Sequence, residues 1–230
     1  HRGEVRVDLS GTLGQGWDVK KTRFITAHDG ALSCIALTLD GTRLATASEK
    51  GTLVRVFDSA AATKLQEFRR GADQALIYSL AFSPDVDYLA VSSDKGTVHI
   101  YQVGPSHGRE RSASTAVDER QQSGATASSP TPGEDEGEPT TRPSSASVGA
   151  GNQTSGLSFM RGLLPKYFSS EWSFAKFKLQ DEHTPVVVAF AKKNSITIVG
   201  KNGAYYRCSF DPVKGGDCKQ EAYDTFVNLF

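Results

Sequence analysis

Ser48-Glu49-Lys50-Gly51-Thr52 and Ser93-Asp94-Lys95-Gly96-Thr97 are two versions of one turn, and their glycines stand 45 residues apart. A short apolar run enters each turn and another leaves it. Leu44 to Ser48 precedes the first, Leu53 to Phe57 follows it, and Asp58 closes the run. Upstream, Ala31 to Leu37 ends at Asp40-Gly41-Thr42, a hairpin signal. Downstream, Lys64 to Phe68 completes a meander of four short strands. The second unit repeats the plan, with Ile77 to Phe82 and Ser83-Pro84-Asp85 in the places of the first strand and its turn. A weaker third unit runs through Pro185 to Ala191, Ser195 to Val199, Lys201-Asn202-Gly203 and Ala204 to Phe210.

Four short strands per repeat of about 40–45 residues mark a β-propeller of WD-repeat type. Ala27-His28 and Phe57-Asp58 stand where such repeats carry Gly-His and Trp-Asp, in degenerate form. An all-β sandwich would not explain the fixed spacing. Residues 4–9 alternate as a strand before a loop at Gly14 and Gly16, and Phe24 to His28 is a second strand. Three blades and a fragment cannot close a ring and cover its sheet edges. The chain therefore reads as the C-terminal part of a longer propeller, starting at His1 rather than at an initiator Met.

The 26 basic and 26 acidic residues cancel, so bulk electrostatics predict no nucleic-acid partner, and any anion site must be local. No apolar run approaches the ~18 residues of a membrane span. Cys34, Cys208 and Cys218 are an odd, widely spaced set that predicts a reducing compartment and no disulfide framework. There is no metal-ligand spacing, no Walker-type phosphate loop and no cluster of acids or bases, so neither an enzyme nor a cofactor is expected.

Residues 104–156 are rich in Ser, Thr, Pro and Gly and poor in aliphatic bulk, so they are expected to be a disordered insertion. The chain divides accordingly. Residues 1–103 hold the remnant, one blade and most of the next, and 157–170 form an apolar tip. Residues 171–230 finish that blade and supply the last one. In the tip, Leu157, Phe159, Met160, Leu163 and Leu164 are interspersed with Arg161 and Lys166, a pattern suited to insertion among lipid headgroups.

Between the first two units lies Glu67-Phe68-Arg69-Arg70-Gly71. Neighbouring residues of a strand point to opposite faces, so Arg69 and Arg70 serve two different places. On one side stand His28, Thr46, Ser48, Thr52 and Arg55; on the other, Ser93, Thr97 and His99. Hydroxyls and imidazole donate to phosphate oxygens, and arginine adds a bidentate charge.

Phe68-Arg69-Arg70-Gly71 between these two turn motifs resembles the PROPPIN or WIPI family. Leu164-Pro165-Lys166-Tyr167-Phe168 and Trp172-Ser173-Phe174 are similar to its WIPI-3 and WIPI-4 branch. The resemblance runs from about Thr22 to the C-terminus, outside the insertion. It implies a seven-bladed propeller, represented here by a remnant of the fourth blade and the last three. It also implies two phosphoinositide sites. His28, Thr46, Ser48, Gly51, Thr52, Arg55 and Arg69 would form the first, and Arg70, Gly71, Ser93, Thr97 and His99 the second. It further implies a membrane-inserting loop, here from Gly104 to about Lys166. The expected function is that of a non-enzymatic effector of autophagosome formation that binds phosphatidylinositol 3-phosphate and the 3,5-bisphosphate. The expected location is cytoplasmic, on phagophore, preautophagosomal, endosomal or lysosomal membranes. Autophagy proteins, among them a lipid-transfer protein, are the expected partners, through blades outside this chain. The alternative is a WD-repeat scaffold that binds proteins and no lipid.

Overall fold

The computed structural model describes residues 3–13, 16–104 and 170–226, whose regular elements are β-strands. Strands β1 (Glu4–Leu13) and β2 (Gly16–Thr26) form an antiparallel hairpin. Strands β3 (Leu32–Leu37), β4 (Arg43–Ser48), β5 (Leu53–Asp58) and β6 (Lys64–Arg69) form the first four-stranded blade in chain order. The second blade is β7 (Ile77–Phe82), β8 (Tyr88–Ser93), β9 (Thr97–Gln102) and β10 (Ala175–Lys178). The third is β11 (Val186–Lys192), β12 (Ser195–Gly200), β13 (Ala204–Asp211) and β14 (Gly215–Thr225).

The meanders follow from local chemistry. At the turn glycines Gly41, Gly51, Gly96 and Gly203, φ lies between 61° and 83°, the left-handed region open to glycine. Gly51 is the most constrained, because a Cβ there would run into the carbonyl of Ala75. Between the turns, small and β-branched residues fill strands buried on both faces. All six residues of β4 and all six of β8 are buried.

The blades pack face to face. Val54, Val56 and Phe68 of the first meet Leu89, Val91 and Tyr101 of the second, and the Phe68 and Tyr101 rings stack at 4.7 Å. Val98, Ile100 and Phe177 of the second meet Val188, Ile198 and Tyr206 of the third. The hairpin brings Val5 and Ile25 against Leu44 and Phe57 on the other face of the first blade. Lys193, in the β11–β12 turn, reaches Asp85 at 3.2 Å and Asp87 at 2.7 Å and fastens the last two blades together.

Two expectations are adjusted. The first strand runs well past residue 9, and the hairpin reaches Leu13 and Gly16, with a register shift between Leu9 and Ser10. The alternating run from Trp172 to Leu179 becomes strand only at Ala175–Lys178, where it pairs with β9. Before that, the segment leans on the neighbouring blade through a parallel bridge, Phe68 to Glu171, and through Ser170 Oγ, which donates to Glu67 Oε1. The second and third blades also join at their outer strands, where β10 pairs in parallel with β14 through Ala175–Gly216 and Lys176–Asp217. Sequence periodicity is set within a blade and carries no mark of such contacts between blades. The insertion beyond Gly104 and the tip residues Leu157, Phe159, Met160, Leu163 and Leu164 lie outside the described residues.

Candidate anion-binding clefts

Strand register assigns each polar side chain to a face. Thr46 lies opposite Arg55, and Arg55 opposite Glu67, so the three share one face of the first blade. Two residues further along the strands, Leu53 lies opposite Arg69, which puts Arg69 on the same face. This is the face that carries Leu44 and Phe57 and packs on the hairpin. Arg70, next in sequence, follows the side of Phe68, which faces the second blade. Both arginines are buried. Their backbone N–H groups also diverge: Arg69 donates to Glu171 O at 2.7 Å and Arg70 to Thr52 O at 3.0 Å.

The first cleft, between hairpin and blade, is already braced. His28 is buried, and its Nε2 lies 2.9 Å from Thr46 Oγ1 and 3.3 Å from Thr46 O. A carbonyl only accepts, so Nε2 carries a proton and donates. Burial and the Arg55 charge hold the imidazole below its ordinary pKa and keep it neutral. Arg55 Nε donates to Glu67 Oε2 at 2.8 Å and Nη1 to Ala27 O at 2.6 Å. Lys64 Nζ and Ser170 Oγ add further bonds to the same carboxylate, at 3.2 and 3.1 Å. Burial pushes the Glu67 carboxyl up, but the Arg55 hydrogen bond and the Lys64 charge outweigh it and leave it below the ordinary range. Ser48 and Thr52 are buried at the start and end of the turn.

The second cleft lies between the two blades. Val91 is opposite His99, and His99 opposite Lys176, so His99 holds the place in its blade that Arg55 holds in the other. Thr97 lies two residues before His99 on the same face, and Tyr101 two residues after. The Tyr101 hydroxyl donates to Arg69 O at 3.0 Å, tying the faces together. Arg70 Nε donates to Gly51 O at 3.0 Å, and Nη2 donates to Asp73 O. The buried guanidinium is thus fixed with two of its five N–H groups engaged. His99 Nδ1 lies 3.2 Å from Ser173 Oγ, and burial with the Arg70 and Lys176 charges pulls its pKa down to about 4. Ser93 is buried, and its Oγ accepts from the Lys95 N–H at 3.4 Å. Gly71 is half-buried, with open space around it.

The structure therefore gathers His28, Thr46, Arg55 and Arg69 on one cleft and Arg70, Thr97 and His99 on the other. Gly51 belongs to both, because its turn adjoins the first cleft while its carbonyl holds Arg70. Sequence reasoning left Glu67, Tyr101, Ser170, Ser173, Lys176 and Lys178 unassigned. Glu67 was within reach, standing two residues before Arg69 and so on its face. So was Tyr101, two residues after His99, whereas the others depend on contacts across the insertion.

Comparison with known proteins agrees with this architecture. A family model described as PROPPIN matches residues 9–135. The chain is 36% identical over 231 residues to autophagy-related protein 18e of Arabidopsis thaliana, covering 100% of this chain and 48% of that one. It thus spans about half the length of such relatives. The solved structure of Hsv2 from Kluyveromyces lactis superposes with a TM-score of 0.64 at 22% identity, over 97% of this chain and 56% of that one. A complex of KlAtg21 with the coiled-coil of AgAtg16 superposes at 0.53 with 23% identity, over 87% of this chain and 44% of that one. With the family model matching more than half of this chain, on a propeller of matching blades, the chain belongs to the PROPPIN family.

Proposed function

We propose that the chain is the phosphoinositide-reading part of a peripheral membrane effector of autophagosome formation. It takes phosphatidylinositol 3-phosphate and the 3,5-bisphosphate, and it performs no chemistry on them. The observation that carries this reading is the divergence of Arg69 and Arg70 from one strand end into two hydroxyl-lined clefts. Each cleft offers an arginine fork, an imidazole and hydroxyl donors, the groups that recognise a phosphomonoester. Two weak headgroup sites and the apolar tip at 157–170 act together, because a single weak anchor gives only marginal membrane binding. The working sites are then phagophore, endosomal and lysosomal membranes, reached from the cytoplasm. Protein partners of autophagy, of the kind seen in the Atg21–Atg16 coiled-coil complex, complete the assembly.

Vesicle flotation tests the reading. With phosphatidylinositol 3-phosphate or 3,5-bisphosphate in the vesicles, the chain floats. Arg69→Thr/Arg70→Thr reduces the floated fraction at least tenfold, while each single change leaves partial binding. Undiminished flotation of the double variant would refute the proposal and leave a lipid-independent protein scaffold.

A further inference from the structure

The two clefts are built on one pattern but carry different charge. In the first blade the outward series is Thr46, Arg55, Glu67, with Arg69 two residues beyond. In the second it is Val91, His99, Lys176, with Lys178 two residues beyond, opposite Thr97. Lys176 therefore stands where the first cleft has the carboxylate of Glu67. Lys178 stands where the first cleft has Arg69. Arg70 reaches this cleft in addition, from the neighbouring blade.

The surroundings of these groups reinforce the contrast. The Glu67 side chain is 16% exposed and held by Arg55, Lys64 and Ser170, so the first cleft contains a fixed negative charge. Acids also stand near the second cleft. Asp94 acts on Arg70, Asp217 lies 3.8 Å from Lys176, and Glu182 lies 2.9 Å from Lys178. Asp217 and Glu182 are 84% and 47% exposed, so their pairs are loose and open to exchange for an anion. Lys176 and Lys178 are themselves 58% and 74% exposed. They border a cavity of about 460 Å³ lined also by Thr97 and Phe177 and, from the third blade, by Asp217 and Cys218.

We infer that Lys176 and Lys178 form a phosphate subsite of the second cleft, so that this cleft takes an inositol ring bearing two free phosphomonoesters. Arg70, Thr97 and His99 hold one phosphate, and the lysine pair holds the other. The first cleft, with Glu67 in the equivalent position, takes a ring with a single phosphomonoester. The inference rests on the phosphoinositide reading above and adds a division of labour to it. The same chemistry occurs in a membrane lipid and in a soluble inositol phosphate.

The test uses the full chain and two pairs of probes. The soluble probes are inositol 1,3-bisphosphate and inositol 1,3,5-trisphosphate, which mimic the two headgroups with their ring-to-lipid phosphate. The vesicle probes carry phosphatidylinositol 3-phosphate or the 3,5-bisphosphate at equal total charge, balanced with phosphatidylserine. In Arg69→Thr, which leaves the second cleft, the probe with the extra phosphate binds about tenfold more tightly, as one added charge-assisted contact requires. Lys176→Gln/Lys178→Gln in that background removes the preference, and Arg70→Thr, which leaves the first cleft, shows none. Arg69 is buried, so the lysine pair is also changed alone, where both sites of substitution are exposed and the fold is kept. That variant loses preference for the extra phosphate and keeps its affinity for the simpler probe within about twofold.

Preference for the soluble probes alone identifies a soluble inositol phosphate as the ligand; preference on vesicles as well identifies the lipid. A preference that survives loss of both lysines overturns the subsite, and so does an equal fall for both probes. If the unaltered chain binds none of the four, the phosphoinositide reading itself falls.

Discussion

His99 lies on β9, where burial and the charges of Arg70 and Lys176 hold its pKa at about 4 against an ordinary 6.5. Above pH 6.5 the ring is neutral in both folded and unfolded chains, and it contributes nothing to pH dependence. Below 6.5 the unfolded chain takes up a proton that the folded chain refuses until about pH 4. Folding stability therefore falls across that window and levels off beneath it. After allowance for the solvent that still reaches the half-buried ring, the loss is about 2 kcal/mol. Unfolding titrations of the chain and of His99→Gln should converge as pH falls from 7 to 4, since glutamine has no proton to gain. Parallel curves would show that the ring titrates normally. The divergence of Arg69 and Arg70 was legible in the sequence, because a period of two needs only adjacent residues. The bracing of Arg55 by Glu67 was not, because it depends on a cross-strand register that slips between Val56 and Phe57.

At the scale of the element, the β4–β5 turn does two jobs. Gly51 has φ +61°, its N–H closes the turn onto Ser48 O at 2.8 Å, and its carbonyl fixes Arg70 Nε. Gly51→Ala forces a Cβ against the Ala75 carbonyl in a conformation that L-residues avoid, at a cost of about 2 kcal/mol or more. Gly71→Ala meets open space and should cost less than about 0.5 kcal/mol. Thermal unfolding of the two variants separates a turn that demands glycine from a family motif that merely contains it. Equal losses would mean that the Gly51 turn relaxes freely. These turns made the blades readable, since Lys-Gly-Thr is local chemistry repeated at a fixed interval. The extent of β10 escaped, because its partner β9 lies on the other side of the insertion, and alternation alone does not set where pairing begins.

At the scale of the whole molecule, burial divides between the joints and the two outer faces of the blade series. Leu44 and Phe57 are covered by the hairpin, while Ile35 and Leu37 on the inner strand of the same blade remain 50% and 57% exposed. At the far end, Val187 and Val199 face each other across β11 and β12 at 61% and 38% exposure. The sequence announced that three blades and a remnant cannot close a ring and cover its sheet edges, but it did not say which residues would show. That assignment rests on which face of each strand meets a neighbour.

Blade two is assembled from both sides of a long excursion: the chain leaves it after β9 and returns to finish it with β10. A peptide-bond cut anywhere in 105–169 therefore divides the protein into two pieces, each holding part of the same sheet. The β9–β10 ladder, the bridge at Glu171 and the stacked core against the third blade then keep the pieces together. A chain nicked by protease in that interval should elute as a single species under native conditions and separate only in denaturant; spontaneous separation would contradict it. The same division amounts to a natural split-protein design. The half with the Arg pair carries β7–β9 of the second blade, the half with Lys176 and Lys178 carries β10, and the rejoined sheet becomes a reporter of their reunion.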